Sequence, residues 1–222
     1  MEYFLAAIFG YLLGSIPFGL VLCKIFGYGD IRKIGSGNIG ATNVLRTGNK
    51  PLAFATLVLD IGKGAIAVFL IRLIFPENCS VIDCQGPCPC ISYNDVAALS
   101  MIAGFFALIG HCFPAWLKFK GGKGVATTLG TFLAIQPILG LIICGLWFIS
   151  VLIFRISSLS ALIAVGLSPL IAHYIYNDAN LSFFCAAVAA LVYIKHRDNI
   201  KRLFTGQEPK IGKKNKEKTS DA

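Results

Sequence analysis

The chain has 222 residues, of which 56% are hydrophobic and only 14% are charged. A soluble domain of this length would carry about 45–50% apolar and about 25% charged residues, so the composition excludes that class. The formal net charge of +9 is unevenly distributed: the tail from Lys195 to Ala222 holds nine lysines and arginines against four acids. Because the tail lacks the regular aromatic interleaving of nucleic-acid-binding segments, it favours a juxtamembrane anchor, and no nucleic-acid partner is expected.

Apolar runs of about 20 residues, the length that crosses a hydrocarbon core of about 30 Å, recur along the chain. We expect an all-α integral membrane fold with seven hydrophobic helical segments, two of them short. The first lacks a basic leading region and a small-residue cleavage site, so it is expected to be a retained span and not a signal peptide. In chain order the segments are 3–26, 52–75, 96–113, 125–136, 138–154, 157–176 and 181–194.

Charges in the connecting loops predict the orientation of this bundle. The loops at 27–51 and 114–124 are rich in lysine and arginine, whereas the loop at 76–95 has neither and carries three acids. By the positive-inside rule the N-terminus is outside and both basic loops face the cytoplasm. The apolar stretch 125–154 contains Pro137, which a helix interior tolerates poorly. Two segments meeting there return the basic tail to the cytoplasm as well.

These segments are expected to form one membrane domain over residues 1–204. Residues 205–222 are expected to form a basic cytoplasmic tail that is disordered at its end. Segments 125–136 and 181–194 are short, and a 12-residue helix covers only about 18 Å. Short helices packed within a bundle are compatible with a site cut into the membrane face.

A first polar motif, GSGNIGATNVLR, lies at 35–46 in a predicted cytoplasmic loop. Its glycines permit backbone conformations that other residues avoid, so that successive amides can converge on an anion. Neutral donors and a planar guanidinium complete a candidate phosphate site, against the plainer interpretation of a flexible turn and a helix cap. The candidate residues are Gly35, Ser36, Gly37, Asn38, Gly40, Thr42, Asn43 and Arg46.

A second motif, KGGKG at 120–124, leads directly into the apolar segment that begins at Val125. A glycine loop before a helix leaves free amides and the positive end of the helix dipole pointing at one spot. The motif lacks the Ser or Thr and the leading glycine of a Walker A loop, so a nucleoside triphosphate is not expected. Positive-inside lysines on a connecting loop are the plainer alternative. The candidates are Lys120, Gly121, Gly122, Lys123 and Gly124.

The third motif, KHRDNIKRLFTGQE at 195–208, follows the last apolar segment. His196 and Asn199 are three residues apart, which places them on one helical face if the last span continues through them. An interfacial histidine is the plainer interpretation, but two phosphate-seeking loops on the same side favour a role in the site. Glu208 is expected to fix the tail to these loops, and Ser158, at the same predicted level, is a candidate pocket residue.

Two further features lie apart from the motifs. Asp60 and Lys63 are three residues apart within a predicted span, and we expect them to pair with each other, because pairing lowers the cost of charge in lipid. Four cysteines crowd the predicted outer loop, where two disulfides are favoured and a zinc site is the alternative. Three pairings of these cysteines are open; they are Cys79, Cys84, Cys88 and Cys90.

Together the motifs resemble those of the bacterial acyl-phosphate:glycerol-3-phosphate acyltransferases, the PlsY family. The similar stretches cover essentially the whole chain in the family's order. The cysteine-rich loop departs from the family, which usually has a shorter connection there. The similar stretches are GSIPFG at 14–19, GSGNIGATNVLRTG at 35–48, DIGKG at 60–64, GHCFPAWLKFKGGKGVAT at 110–127 and KHRDNIKRLFTGQE at 195–208.

The resemblance implies transfer of a fatty acyl group from acyl phosphate to the 1-hydroxyl of glycerol 3-phosphate, giving lysophosphatidic acid and phosphate. It implies an enzyme of phospholipid biosynthesis in the bacterial inner membrane, with its active site on the cytoplasmic face and with neither metal nor cofactor. It also implies a functional link to a peripheral acyl-phosphate synthase. Both substrates carry phosphate, which would account for two glycine-rich sites, and the acyl chain would enter from the bilayer.

The resemblance also implies roles for the candidate residues. The loop of Lys123 would hold the phosphate of glycerol 3-phosphate, and Ser36 and Arg46 would hold the acyl phosphate, with the reverse assignment left open. His196 and Asn199 would position the attacking hydroxyl. Whether His196 or the leaving phosphate accepts the hydroxyl proton is also left open.

Two other functions share some of these features. A transporter for phosphorylated solutes would need polar groups along a path through the midplane, but only Asp60 and Lys63 qualify and no repeat is evident. A CDP-alcohol phosphotransferase needs clustered aspartates for metal, whereas the predicted cytoplasmic loops offer only Asp30 and Asp198. The acyltransferase is therefore the predicted function.

Overall fold

The computed structural model of the protein describes residues 1–75 and 92–211. Within these ranges all regular structure is helical, as predicted, and short 3-10 turns join the α-helices. The predicted disulfide loop from Cys79 to Cys90 and the end of the basic tail lie outside the described residues. In chain order the helices are α1 Glu2–Gly14, α2 Phe18–Ile25, α3 Ala41–Val44, α4 Lys50–Ile74, α5 Tyr93–Cys112, α6 Val125–Ile135, α7 Pro137–Phe154, α8 Ser157–Tyr176, α9 Ala179–Lys195 and α10 Arg197–Phe204.

Five stretches of the described chain are long and apolar enough to cross a membrane. Counting α9 with α10, which meet at 67°, gives up to six. Every predicted segment lies mainly on helix, and α6, with 11 residues, is shorter than a span, as expected. The number of crossings and their orientation stay predictions. The five stretches are Glu2–Ile25, Lys50–Ile74, Asn94–Leu117, Pro137–Phe154 and Ser157–Tyr176.

Two prolines divide predicted apolar stretches. The predicted break before Pro137 is confirmed, since Gln136 is extended and Pro137 begins α7, where its missing amide costs nothing. The guanidinium of Arg72 donates to the carbonyls of Ala134 and Ile135, at 2.8 and 3.0 Å, and so satisfies the end of α6 within the bundle. The first segment, predicted as one, is interrupted before Pro17, because proline cannot continue the hydrogen bonds of α1.

Small residues allow close contact between the helices. A methyl group at Gly14 would overlap the backbone of Ala107 on α5, and one at Gly130 would overlap the backbone of Ile61 on α4. Helices in lipid have no hydrophobic driving force to associate, so the van der Waals contacts of these closely packed backbones stabilise the bundle instead. Around them an apolar core includes Phe132 and Phe184, whose rings meet edge to face. The short α6 is held within the bundle by these contacts, and its N-terminal end is thereby positioned.

A buried ion pair links α4 to the break between α1 and α2. As predicted, Asp60 and Lys63 pair, with 2.8 Å between Lys63 Nζ and Asp60 Oδ1. The same ammonium donates to the carbonyl of Ile16 at 3.1 Å, at the break before Pro17. The pair is thus part of the packing of three helices, which agrees with a structural role.

His196 and Asn199 were expected to share one helical face if the last span continued through the third motif. The span does not continue. α9 ends at Lys195, His196 lies at the junction, and α10 leaves at 67°. A physical reason is composition: α10 is amphipathic and bears four basic or acidic residues in its eight, which suit a membrane surface and not its interior. Both side chains are nevertheless buried, because the bend turns Asn199 toward α6.

Candidate active site

The three polar motifs come together at one end of the bundle, the end that the charge distribution predicts to be cytoplasmic. Lys123 Nζ, just before α6, donates a hydrogen bond to Asn199 Oδ1 on α10 at 2.5 Å. Arg46, at the end of the first motif, lies close enough for its positive charge to act on the same ammonium. The structure therefore joins the second loop directly to the third motif, with the cation of the first loop near enough to act on Lys123.

The ammonium of Lys123 occupies a half-buried position among other charges. Burial lowers the pKa of Lys123 because it penalises the charged form, the carboxylate of Glu208 opposes that shift, and Arg202 and Arg46 add to it. A cation in such surroundings gains stability from an anion that binds beside it. A phosphate oxygen is an anion of the right kind, since Lys acts toward phosphate as a point charge.

Glu208 was expected to fix the tail to the two loops; it bonds α8 and α10 instead and reaches the second loop only through Asn199. Its carboxylate accepts hydrogen bonds from Ser158 Oγ at 2.6 Å, from Asn199 Nδ2 at 2.5 Å and from Arg202 Nε at 2.7 Å. Burial acts to raise the pKa of Glu208, but these three donors outweigh it and hold the carboxyl below its usual range. Asn199 is thus bonded on both sides, to Lys123 and to Glu208, and its amide fixes the lysine.

His196 is held as a neutral imidazole with a defined tautomer. Nδ1 lies 2.8 Å from the carbonyl oxygen of Val192, and because a carbonyl only accepts, Nδ1 carries the hydrogen and Nε2 has the lone pair. Burial lowers the pKa of His196 to about 4, and the nearby Lys123 contributes in the same direction. At neutral pH the ring is uncharged and can accept a hydrogen bond through Nε2.

The first motif is organised around Asn43, which is 2% exposed. Its Nδ2 lies within 2.8–3.0 Å of the carbonyls of Ile31, Ile34 and Asn38, and its Oδ1 accepts from the amide of Ser36 at 3.1 Å. Gly35 and Gly37 have φ of 58° and 69°, which favours glycine.

The side chains of the first motif therefore divide into two groups. Asn43 and Asn38 are occupied within the loop, since Asn38 Oδ1 accepts from the amide of Ile39 at 2.8 Å. Gly40 precedes the first turn of α3. Ser36, Thr42 and Arg46 are exposed and are the groups of this loop that a ligand can reach.

The second motif does not present its glycine amides as expected. The amide of Gly121 donates to the carbonyl of Cys112 at 3.2 Å, and the amide of Gly122 donates to the carbonyl of His111 at 2.9 Å. Both amides are thus used to fasten the loop to the end of α5 and cannot converge on an anion. Gly124, with φ of 83°, precedes α6, whose first amides have no partner within the helix and remain available. Lys120 is exposed beside the loop.

Three residues near the site were not among the sequence candidates. His111 is 5% exposed, and its Nδ1 lies 3.6 Å from Asp60 Oδ1. Lys195 donates to the carbonyl of Cys112 at 2.9 Å and lies 4.4 Å from the centre of the Phe113 ring. Arg202 binds Glu208. A usable signal existed for all three, since His111 stands in the stretch at 110–127 and the other two stand in the stretch at 195–208, and both stretches carry the resemblance.

Comparisons with known proteins identify the family of this chain. A family model described as glycerol-3-phosphate acyltransferase matches residues 4–206. A glycerol-3-phosphate acyltransferase of Jannaschia sp. (strain CCS1) is 53% identical over 209 residues, which are 94% of this chain and 93% of the relative. One of Paramagnetospirillum magneticum is 50% identical over 216 residues, which are 97% of each chain.

Solved structures give the same result for the fold. A crystal structure of PlsY (YgiH), an integral membrane glycerol 3-phosphate acyltransferase in its glycerol 3-phosphate form, is similar with a TM-score of 0.80 and 33% identity over 96% of both chains. Its lysophosphatidic acid form has a TM-score of 0.78 and 32% identity over the same shares. These relationships confirm the integral membrane fold, and the chain belongs to the glycerol-3-phosphate acyltransferase family of PlsY.

Proposed function

We propose that this protein transfers a fatty acyl group from acyl phosphate to the 1-hydroxyl of glycerol 3-phosphate, releasing lysophosphatidic acid and phosphate. The observation that carries the proposal is the bond between Lys123, from the second loop, and Asn199 of the third motif, beside the neutral imidazole of His196 and within reach of the positive charge of Arg46. Two cations suit two phosphate groups, and acyl phosphate is already activated, so no covalent acyl-enzyme is needed. Orientation of the two reactants can supply about 7–11 kcal/mol of the barrier.

The residues take these proposed roles. Lys123 and the free amides at the start of α6 hold the phosphate of glycerol 3-phosphate, where the helix dipole favours an anion. Ser36 and Arg46, exposed on the first loop, hold the acyl phosphate. Asn199 fixes Lys123, and Glu208 fixes Asn199.

His196 is proposed to orient the hydroxyl through Nε2, and the leaving phosphate is proposed to take its proton. The low pKa of His196, about 4, supports this division, because a base that weak gains little in accepting a proton at neutral pH. The leaving phosphate is the stronger base, because its oxygen keeps the electron pair of the broken bond to the carbonyl carbon and departs on a group that is already anionic. His196→Gln is therefore expected to lower kcat by about tenfold. A loss of about 10²–10⁴-fold, the range of general base catalysis, would contradict this assignment.

The proposal also covers the membrane in which the site lies and the source of its acyl donor. The site faces the cytoplasm of a bacterial inner membrane, and a peripheral acyl-phosphate synthase supplies the donor. The positive-inside distribution of the loops supports the orientation. The acyl chain enters from the bilayer.

The donor is the part of the proposal that one experiment can test. The purified protein in lipid nanodiscs is given glycerol 3-phosphate with either palmitoyl phosphate or palmitoyl-CoA, and lysophosphatidic acid is measured by mass spectrometry. Product is expected from palmitoyl phosphate alone, together with one equivalent of free phosphate. Product from palmitoyl-CoA alone would refute the proposed donor, and no product with either would refute the proposed reaction.

A further inference from the structure

We infer that His111 is a positioning residue for the second glycine loop, and that the buried Asp60–Lys63 pair backs the other edge of its ring. The inference rests on the proposed function, because it explains how the lysine of that loop is aimed at its phosphate. His111 ends a chain of buried polar contacts that begins at the break between α1 and α2. It has no proposed contact with a substrate and acts only through the loop.

The loop contacts His111 in two ways. The amide of Gly122 donates to the backbone carbonyl of His111 at 2.9 Å. The imidazole also lies directly against the α-carbon of Gly122: a methyl group built there would overlap Nε2 and would lie 2.7 Å from Cε1 and 2.9 Å from Cδ2. Gly122 does not have a positive φ, so its backbone conformation does not require glycine. The three atoms nearest to such a methyl group all belong to the ring.

The other edge of the ring faces the ion pair. Nδ1 of His111 lies 3.6 Å from Asp60 Oδ1, and that oxygen lies 2.8 Å from Lys63 Nζ. Lys63 in turn donates to the carbonyl of Ile16 at 3.1 Å. All three side chains are at most 5% exposed. Removing one member of a buried pair strands the other charge, so the arrangement resists displacement.

The consequence for the site follows from adjacency along the chain. Lys123 directly follows Gly122, and its Nζ must reach Asn199 and the proposed phosphate together. The imidazole packs against Gly122 and therefore limits how far Gly122 and Lys123 can move toward α5. A shift of about 1 Å in a positioned group can cost about 10²-fold in rate. His111 therefore affects binding of glycerol 3-phosphate without touching it.

A competing explanation holds that Gly122 is small because the substrate approaches it closely. The two explanations differ in what relieves a Gly122→Ala defect. If the ring is the obstacle, shortening His111 makes room for the new methyl group. If the substrate is the obstacle, shortening His111 adds a second defect to the first.

The test is a double-mutant cycle of Gly122→Ala and His111→Ala, measured as KM for glycerol 3-phosphate and kcat with palmitoyl phosphate. Gly122→Ala is expected to raise KM by about tenfold or more, and His111→Ala to raise it by about tenfold, with smaller effects on kcat. The double variant is expected to recover to about the level of His111→Ala alone, which is strong coupling between neighbours. A double variant worse than either single one would overturn the inference.

Gly121→Ala provides the matched control. A methyl group there would overlap the backbone carbonyl of His111 and lie 2.5 Å from Pro114 Cδ, and neither contact depends on the imidazole. His111→Ala is therefore expected to give Gly121→Ala no relief. Relief of both glycine variants would indicate general loosening of the loop and would overturn the specific role of the ring.

Two further measurements separate folding and function from the inference. His111→Asn keeps a polar group toward Asp60 while removing the part of the ring against Gly122, so it replaces His111→Ala in the cycle if the alanine variant does not fold. Binding of glycerol 3-phosphate, measured by calorimetry without an acyl donor, repeats the cycle independently of turnover. Failure of wild-type turnover would count against the proposed function, whereas absence of coupling in the binding cycle would count against the role of His111.

Discussion

The two glycine-rich loops at the site, residues 35–46 and 120–124, look alike in sequence but are built differently. The first is organised from within, because the buried amide of Asn43 bonds three carbonyls and the amide of Ser36. The second has no such organiser and is fastened from outside, through the backbone of Gly121 and Gly122 to the end of α5. Positive φ favours glycine at Gly35 and Gly37 in the first loop and at Gly124 in the second, whereas close contact excludes a side chain at Gly121 and Gly122.

This difference indicates how each loop presents its cation. Arg46 is exposed on a loop that carries its own framework, so its guanidinium is free to meet a ligand. Lys123 is half-buried and already bonded to Asn199, so its ammonium has a fixed position. We expect the second loop to be the more sensitive of the two to changes in neighbouring helices.

The largest effect is expected from the fixed cation. Lys123→Gln removes the charge but keeps a polar side chain, and kcat/KM for glycerol 3-phosphate is expected to fall by about 10³-fold, as when a preorganised donor to a developing charge is lost. Steady-state kinetics in nanodiscs measure it. Lys201→Gln, at an exposed lysine on α10, is the control and is expected to be near wild type. Equal losses in the two variants would mean that general positive charge, and not this ammonium, matters.

The next effect concerns His196, at the junction of α9 and α10. Its titration is expected to make the stability of the folded protein depend on pH. The unfolded imidazole of His196 takes up a proton near pH 6.5, whereas the folded one, with a pKa of about 4, stays neutral until much lower pH. The unfolded state therefore binds more protons in this window, so stability falls as pH falls from about 6.5 to about 4. The loss is expected to reach about 3 kcal/mol.

The measurement is the unfolding midpoint in detergent at pH 7, 6, 5 and 4, for wild type and for His196→Gln. The variant is expected to lose less stability across the window, because glutamine does not titrate. Parallel curves for the two proteins would contradict the buried, neutral state of His196.

The internal framework of the first loop can be broken at Asn43. Asn43→Ala leaves several buried backbone groups without their partner, and unfolding free energy is expected to fall by about 2–3 kcal/mol. Asn49→Ala is a matched control, since Asn49 Oδ1 caps α4 by accepting from the amide of Leu52 and Nδ2 makes only an exposed bond to the Tyr28 hydroxyl, so the loss is expected to be about 1 kcal/mol. Urea denaturation of both variants in detergent compares them. A smaller loss at Asn43 than at Asn49 would contradict the proposed framework.

The smallest effect concerns backbone conformation in the same loop. Gly35 has φ of 58°, and a methyl group there would lie 2.6 Å from Asn43 Oδ1, so Gly35→Ala is expected to cost about 1–2 kcal/mol. Gly40 has φ of −83°, and its nearest neighbour to such a group is 3.9 Å away, so Gly40→Ala is expected to cost less than about 0.5 kcal/mol. Thermal unfolding of the pair tests this, and equal shifts would count against conformational strain as the cause.

Much of the fold was predictable because membrane helices need long apolar runs, and prolines and charged loops mark where such runs end. Pro137 predicted the break between α6 and α7, and the spacing of Asp60 and Lys63 predicted their pairing. The break before Pro17 and the bend at His196 were missed. The break before Pro17 was missed because the apolar run continues across it. The bend at His196 was missed because it depends on how α10 packs against the other motifs.

For the site, the sequence determined which chemical groups are present: two glycine-rich loops, each with a cation, and a histidine at the end of the last span. Their types and order carry the family resemblance, because a phosphate needs donors and cations whatever the fold around it. Only the tertiary structure decided how they are used. It bonded Lys123 to Asn199, turned the amides of Gly121 and Gly122 away from any ligand, and placed His111 behind the loop. These contacts join residues distant in sequence or depend on how close two backbones approach, and no local pattern encodes such a distance.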